Sequence, residues 1–163
     1  MSRIIITLVI AFLATPAMAD TVTAGTMTPF ADDSGATESV KNECGFETRL
    51  PKYVQSYAKK AGVKVALTSD ALDGVEGKVL YMTTTNIFAP GGGGYSGAKS
   101  ATVEGKLMEN GEVIGTFSDH RRALMGMMPG TCSMLKRVAK IIGKDIGEWL
   151  ANPSMDAKLG DAH

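Results

Sequence analysis

Charge of one sign, long apolar runs, cysteine and histidine are all scarce in this chain, and each shortage narrows what it can be. Its 17 basic and 17 acidic residues cancel. Near-neutrality withholds the basic face that a large nucleic-acid footprint needs, so no nucleic-acid partner is expected. The longest apolar stretch, residues 4–13 with Thr7 inside it, falls well short of the roughly 20 residues that span a bilayer, so the chain is not expected to span the membrane. Cysteine occurs twice, at Cys44 and Cys132, too far apart for the Cys-x-x-Cys spacing of redox pairs. Of two histidines, His163 is terminal and only His120 falls inside the expected domain. No internal repeat is visible. With 44% hydrophobic residues, the chain is still no disordered tail.

The amino terminus carries an export pattern. Arg3 supplies positive charge, the apolar run follows, Pro16 breaks it, and Ala17-Met18-Ala19 forms a small-x-small cleavage box. Residues 1–19 therefore read as a signal peptide cleaved after Ala19, which removes 19 of the 163 residues and leaves 144, enough for one domain. Arg3 leaves with it, so 16 basic residues face 17 acidic ones, about −1. A periplasmic location follows from this reading. In an oxidising compartment two cysteines allow one intramolecular pairing, and a Cys44–Cys132 disulfide is expected. No cysteine follows the cleavage box, so no lipid anchor is expected there.

Residues 20–43 are rich in Thr, Ser, Ala, Gly and Asp and read as a flexible lead with at most one short strand. Leu50, Val54, Tyr57 and Ala61 recur at helical spacing, with Pro51 placed in the first turn. Val63 to Thr68 reads as a short strand, and Val79 to Ala89 as the strongest one. Ala98 to Met108 and Val113 to Ser118 form a hairpin around Glu109-Asn110-Gly111. A three-residue loop pairing Leu107 with Val113 puts Ala101, Val103, Leu107, Val113 and Phe117 on one face, so that register is preferred over a two-residue turn. Thr131, a potential cap, opens the last helix, whose Leu135, Val138, Ile142, Ile146 and Trp149 share a face. Gly143 and Gly147 in that helix point to close approach of a neighbouring backbone. The expected fold is α+β, a two-layer sandwich with an antiparallel or mixed sheet of about four strands and two helices on one face. A single domain is expected over residues 44–151, with a frayed tail over 152–163.

The closing pattern has recognisable parts: a strand ending Gly111-Glu112-Val113-Ile114-Gly115-Thr116-Phe117, an Arg- and Gly-bearing loop, Cys132-x-x-Leu135, and a helix ending Gly143-Lys144-Asp145-Ile146-Gly147-Glu148-Trp149-Leu150. With these the chain resembles a bacterial family of exported proteins of unknown function, many of them lipoproteins of the Gram-negative envelope. In layout it is also similar to the amino-terminal domain of the Tol-system translocation propeller protein and to the periplasmic domain of the curli secretion lipoprotein. The resemblance spans residues 44–150 and implies an envelope protein, with no activity and no catalytic residues to carry over. Lack of a lipid-modified cysteine is the departure.

Three segments could carry function. Gly91-Gly92-Gly93-Gly94-Tyr95-Ser96-Gly97 follows the strongest strand, but another strand follows it. No Lys-Ser/Thr pair closes it as a phosphate cradle needs. It reads as a mobile strand connection, or as a partner-binding loop anchored by Tyr95. Ser118-Asp119-His120-Arg121-Arg122 is the densest polar cluster. Adjacent strand residues diverge, which argues against a Ser-His-Asp triad. His120, Arg121 and Arg122 read instead as solvated, or as a basic contact point for an acidic partner or lipid headgroup. Met125, Met127 and Met128, with His120, could form a soft copper site, although methionine more often fills irregular gaps. Together these features lead to a non-catalytic periplasmic protein binding an envelope protein or lipid headgroup, with no cofactor. A copper-binding protein is the alternative.

Overall fold

In a computed structural model, residues 21–124 and 130–162 are described. They run β1 (Thr21–Gly25), α1 (Glu38–Cys44), α2 (Phe46–Lys60), β2 (Lys64–Thr68), β3 (Lys78–Phe88), β4 (Lys99–Glu109), β5 (Glu112–Ala123), α3 (Thr131–Trp149) and β6 (Ala157–Gly160). The strands form one mixed sheet in the order β2-β1-β3-β4-β5-β6. Strand β1 is parallel to both β2 and β3, the β3–β4–β5 meander is antiparallel, and β6 lies parallel to β5. The α+β class is as expected, but among the described residues there are six strands and three α-helices, not about four and two.

Of the two extra strands, β1 falls in the lead that was allowed at most one short strand, and β6 in the tail expected to fray. Residues 21–25, assigned to a flexible lead, sit inside the sheet with Val22 and Ala24 buried. The following segment is tied to α2. Pro51 stands in the second turn of α2 and has no amide to give its i−4 carbonyl, that of Glu47. The Thr28 amide bonds that carbonyl instead, at 3.0 Å. Thr37 then caps α1 by accepting from the Val40 amide. At the other end, residues 157–160 of the expected tail pair with β5 as β6.

The hairpin departs from the expected register for a definable reason. Asn110 (φ 51°) and Gly111 (φ 89°) make a two-residue turn, with Met108 opposite Val113 and Glu109 opposite Glu112. A bulge at Ile114 then lets Leu107 pair with Gly115. One extra residue reverses the pleat phase. Ala101, Val103, Leu107 and Phe117 therefore share the buried face as expected, while Val113 is exposed.

The last helix is buried along its predicted face, Leu135, Val138, Ile142, Ile146 and Trp149. Its two glycines meet α2. A Cβ on Gly143 would lie 2.5 Å from the Tyr53 Cβ, and one on Gly147 would lie 2.6 Å from the Ala58 amide nitrogen. Leu50, Val54 and Ala58 of α2 complete the core against the sheet.

Candidate functional site

Phe88, Ser100 and Arg122 lie opposite one another across β3, β4 and β5. Their side chains share the face away from the helices, because the neighbouring Ile87, Ala101 and Ala123 are buried. Beyond this row come the 89–98 connection and Leu124. This sheet end exposes Phe88 (59%), Tyr95 (83%) and Leu124 (64%).

The glycine-rich connection is braced from two sides. Gly93–Ser96 forms a short 3-10 turn. The Lys99 ammonium, on a fully buried side chain, donates to the Gly93 carbonyl at 2.9 Å, the Ser96 hydroxyl at 2.8 Å and the Gly97 carbonyl at 3.1 Å. An ammonium has three protons to donate, and three acceptors meet it. From α3, the Thr131 hydroxyl accepts from the Gly93 amide at 3.2 Å and donates to the Pro90 carbonyl at 3.3 Å. Thr131 thus holds the connection, while Gly130 takes the N-cap position of α3 without a side-chain bond. Beside it the Cys44–Cys132 disulfide joins the end of α1 to the start of α3. The sequence singled out Tyr95 but missed Lys99, because a lone lysine opening a strand reads as a solvated charge.

Strand alternation separates the polar cluster. Ser118, His120 and Arg122 face outward, and His120 Nδ1 lies 2.9 Å from the Thr102 hydroxyl. Asp119 and Arg121 face the helices. Arg121 Nε donates to Asp145 Oδ2 on α3 at 2.7 Å, and its Nη1 reaches Asp161 just beyond β6 at 3.5 Å. The expected basic contact point is therefore split: Arg122 is exposed, whereas Arg121 serves an internal ion pair. No Ser-His-Asp convergence forms, for the same reason.

Asp119 is wholly buried, and neither carboxylate oxygen has a hydrogen-bond partner among the described residues. Burial, reinforced by the charge of Asp145 and then Asp161 and opposed by Arg121, pushes its pKa up to about 7. The hydrogen bond to Asp145 raises the Arg121 guanidinium above its ordinary value.

Met125, Met127 and Met128 of the copper alternative lie outside the described residues, as do the signal peptide and its cleavage site. Met134, on α3, is buried in the core. Among the described residues no three His, Cys, Asp or Glu side chains gather as a metal site. Nor is any described helix long and apolar enough to cross a membrane.

Fold and disulfide define a class: a small, disulfide-bonded α+β domain suited to an extracytoplasmic, oxidising setting. No family model matches the chain, and no curated protein matches it. Solved structures do. A Xanthomonas campestris protein of the DUF330 family aligns with a TM-score of 0.52 and 10% identity over 84% of this chain and 88% of that one. The PelC dodecamer of Paraburkholderia phytofirmans aligns at 0.48 and 13% identity, covering 77% and 87%. A minor lipoprotein of Acinetobacter baumannii aligns at 0.46 and 13% identity, covering 83% and 93%. The likeness to the Xanthomonas protein is one of fold.

Proposed function

We propose that the chain is a non-catalytic periplasmic protein that binds another cell-envelope component through the sheet end carrying Phe88, Tyr95, Arg122 and Leu124. One observation carries this reading. Of six large apolar side chains exposed among the described residues, three (Phe88, Tyr95 and Leu124) gather at this end. Clustered exposed apolar groups beside a cation mark contact surfaces more often than scattered ones do. The bracing by Lys99 and Thr131 supports the reading, since an anchor held in place loses little freedom on binding. Export through a signal peptide cleaved after Ala19 belongs to the same reading, as does the likeness in layout to the Tol and curli proteins.

Photo-crosslinking amino acids placed at Phe88 or Tyr95, and at Val113 or Met155 on other exposed surfaces, test it in living cells. Adducts are expected from the first pair and not from the second. Equal adducts from both pairs, or none from Phe88 and Tyr95, would refute the surface. Co-sedimentation with anionic vesicles, comparing wild type with Arg122→Ser, separates a lipid headgroup from an envelope protein as the partner.

A further inference from the structure

The last strand, β6, is short, lies at the sheet edge, and crosses Asp119, whose buried carboxyl oxygens have no hydrogen-bond partner among the described residues. Leu159 pairs with Asp119 and Gly160 with His120. Gly160 adopts φ +67°, and a Cβ there would lie 2.6 Å from Asp119 Oδ1 and 2.7 Å from Arg121 Nε. The β6 backbone is therefore a lid directly over the Asp119–Arg121 pair. It is fastened by the Asp161 amide donating to the His120 carbonyl at 2.8 Å and by the Arg121–Asp161 contact at 3.5 Å.

The charges facing Asp119 can be taken element by element. Its own strand contributes Arg121, α3 contributes Asp145, and the end of β6 contributes Asp161. From β4 it meets Val103, flanked on that face by the uncharged Ala101 and Gly105. One guanidinium thus stands among three carboxyl groups, and two of them already hold it. Gly160 leaves no room over Asp119 for a hydrated metal ion. A proton is the cation that fits.

We infer that β6 is a strap whose hold on the sheet depends on whether Asp119 carries a proton. Protonated, Asp119 is a neutral group under the strap, and Arg121 stays with Asp145 and Asp161. Ionised, it is a buried anion without hydrogen bonds, and its nearest remedy is to draw Arg121 away from Asp161 or to admit water by lifting β6. The carboxyl's raised pKa, about 7, places the change near neutrality.

Hydrogen–deuterium exchange of the protein with its disulfide intact, corrected for intrinsic rates, tests the strap. Protection of the 157–161 amides is expected to fall at least tenfold between pH 5 and pH 8.5 relative to β4 and β5. In Asp119→Asn it is expected to stay level. A level wild type, or an equal fall in Asp119→Asn, would overturn the inference. A second measurement needs no variant. The Asp119 carboxyl carbon resonance in wild type should titrate with the midpoint of the protection loss, and midpoints more than one pH unit apart would also overturn it.

Discussion

The Lys99 ammonium, on a side chain wholly shut away from solvent, donates to the Ser96 hydroxyl across 2.8 Å. This bond and its two companions turn seven residues rich in glycine into a fixed connection, with Tyr95 projecting from it. Thr131 holds the same turn from α3, and the next residue, Cys132, ties that helix to α1. The proposed contact surface is thus anchored in the core.

Replacing Lys99 by Met keeps most of the apolar volume and removes all three donors. The Gly93 carbonyl keeps the Ser96 hydroxyl as a donor at 3.0 Å, but the Gly97 carbonyl loses its lysine donor and the turn loses its central tie. The expected cost is about 1–3 kcal/mol, read as a lower denaturant midpoint. Amide exchange should quicken over residues 91–98 and not over β5. Unchanged exchange in that segment would mean the lysine does not organise it.

Gly147→Ala pits two local effects against each other. Helix propensity alone predicts a gain of about 1 kcal/mol. The new methyl, however, would lie 2.6 Å from the Ala58 amide nitrogen and 2.9 Å from the Tyr57 Cβ. Backbone on the facing helix cannot give way cheaply, so overpacking should dominate and leave a net loss of about 1–3 kcal/mol. Thermal unfolding checks the sign. Gly143→Ala, facing Tyr53 and Val54, should behave alike.

Much of this packing was legible in the sequence. Apolar residues at helical spacing in α3 announced its buried face, and the glycine pair announced the close approach. Other elements were hidden for physical reasons. Strand β1 buries only Val22 and Ala24, and its partners lie about 40 to 60 residues away, so the lead read as holding at most one short strand, with nothing local to place it inside the sheet. Strand β6, Ala-Lys-Leu-Gly, has no β-branched residue. The Ile114 bulge is invisible to a reading that assumes unbroken alternation. Arg121 and Arg122 look like one basic spot on paper, yet the two-residue period of a strand sends them to opposite faces. Buried groups at Lys99 and Asp119 escaped because what surrounds them comes from the turn, α3 and β6.

Removing the Cys44–Cys132 bond should cost about 4–5 kcal/mol by the chain-entropy estimate for a loop of this size. The two positions are 88 residues apart. A Cys44→Ala/Cys132→Ala variant, compared with wild type in urea, reads this as a lower midpoint with a steeper slope, because the unlinked denatured chain exposes more surface. Loss of the cross-link should also loosen the Gly91–Gly97 connection, because Thr131 adjoins Cys132. A variant as stable as wild type would mean the bond does not constrain the unfolded chain.

Asp119 should give the protein an unusual pH dependence. Its carboxyl is raised from 3.8 to about 7 in the folded state. Between these values the folded chain holds a proton that the unfolded chain has lost, so stability falls as pH rises. The stabilising contribution of the protonated form is complete below about pH 4 and has gone once pH passes about 7. From two pKa values some three units apart the loss has a ceiling of about 4 kcal/mol. Asp119→Asn cannot ionise and should escape it. Urea unfolding at pH 4.5 and pH 8 should therefore show the variant gaining on wild type by up to that amount, with the gain levelling off above pH 7. A constant difference at both values would place the carboxyl of Asp119 in contact with solvent or with a donor, contrary to its burial beneath Gly160.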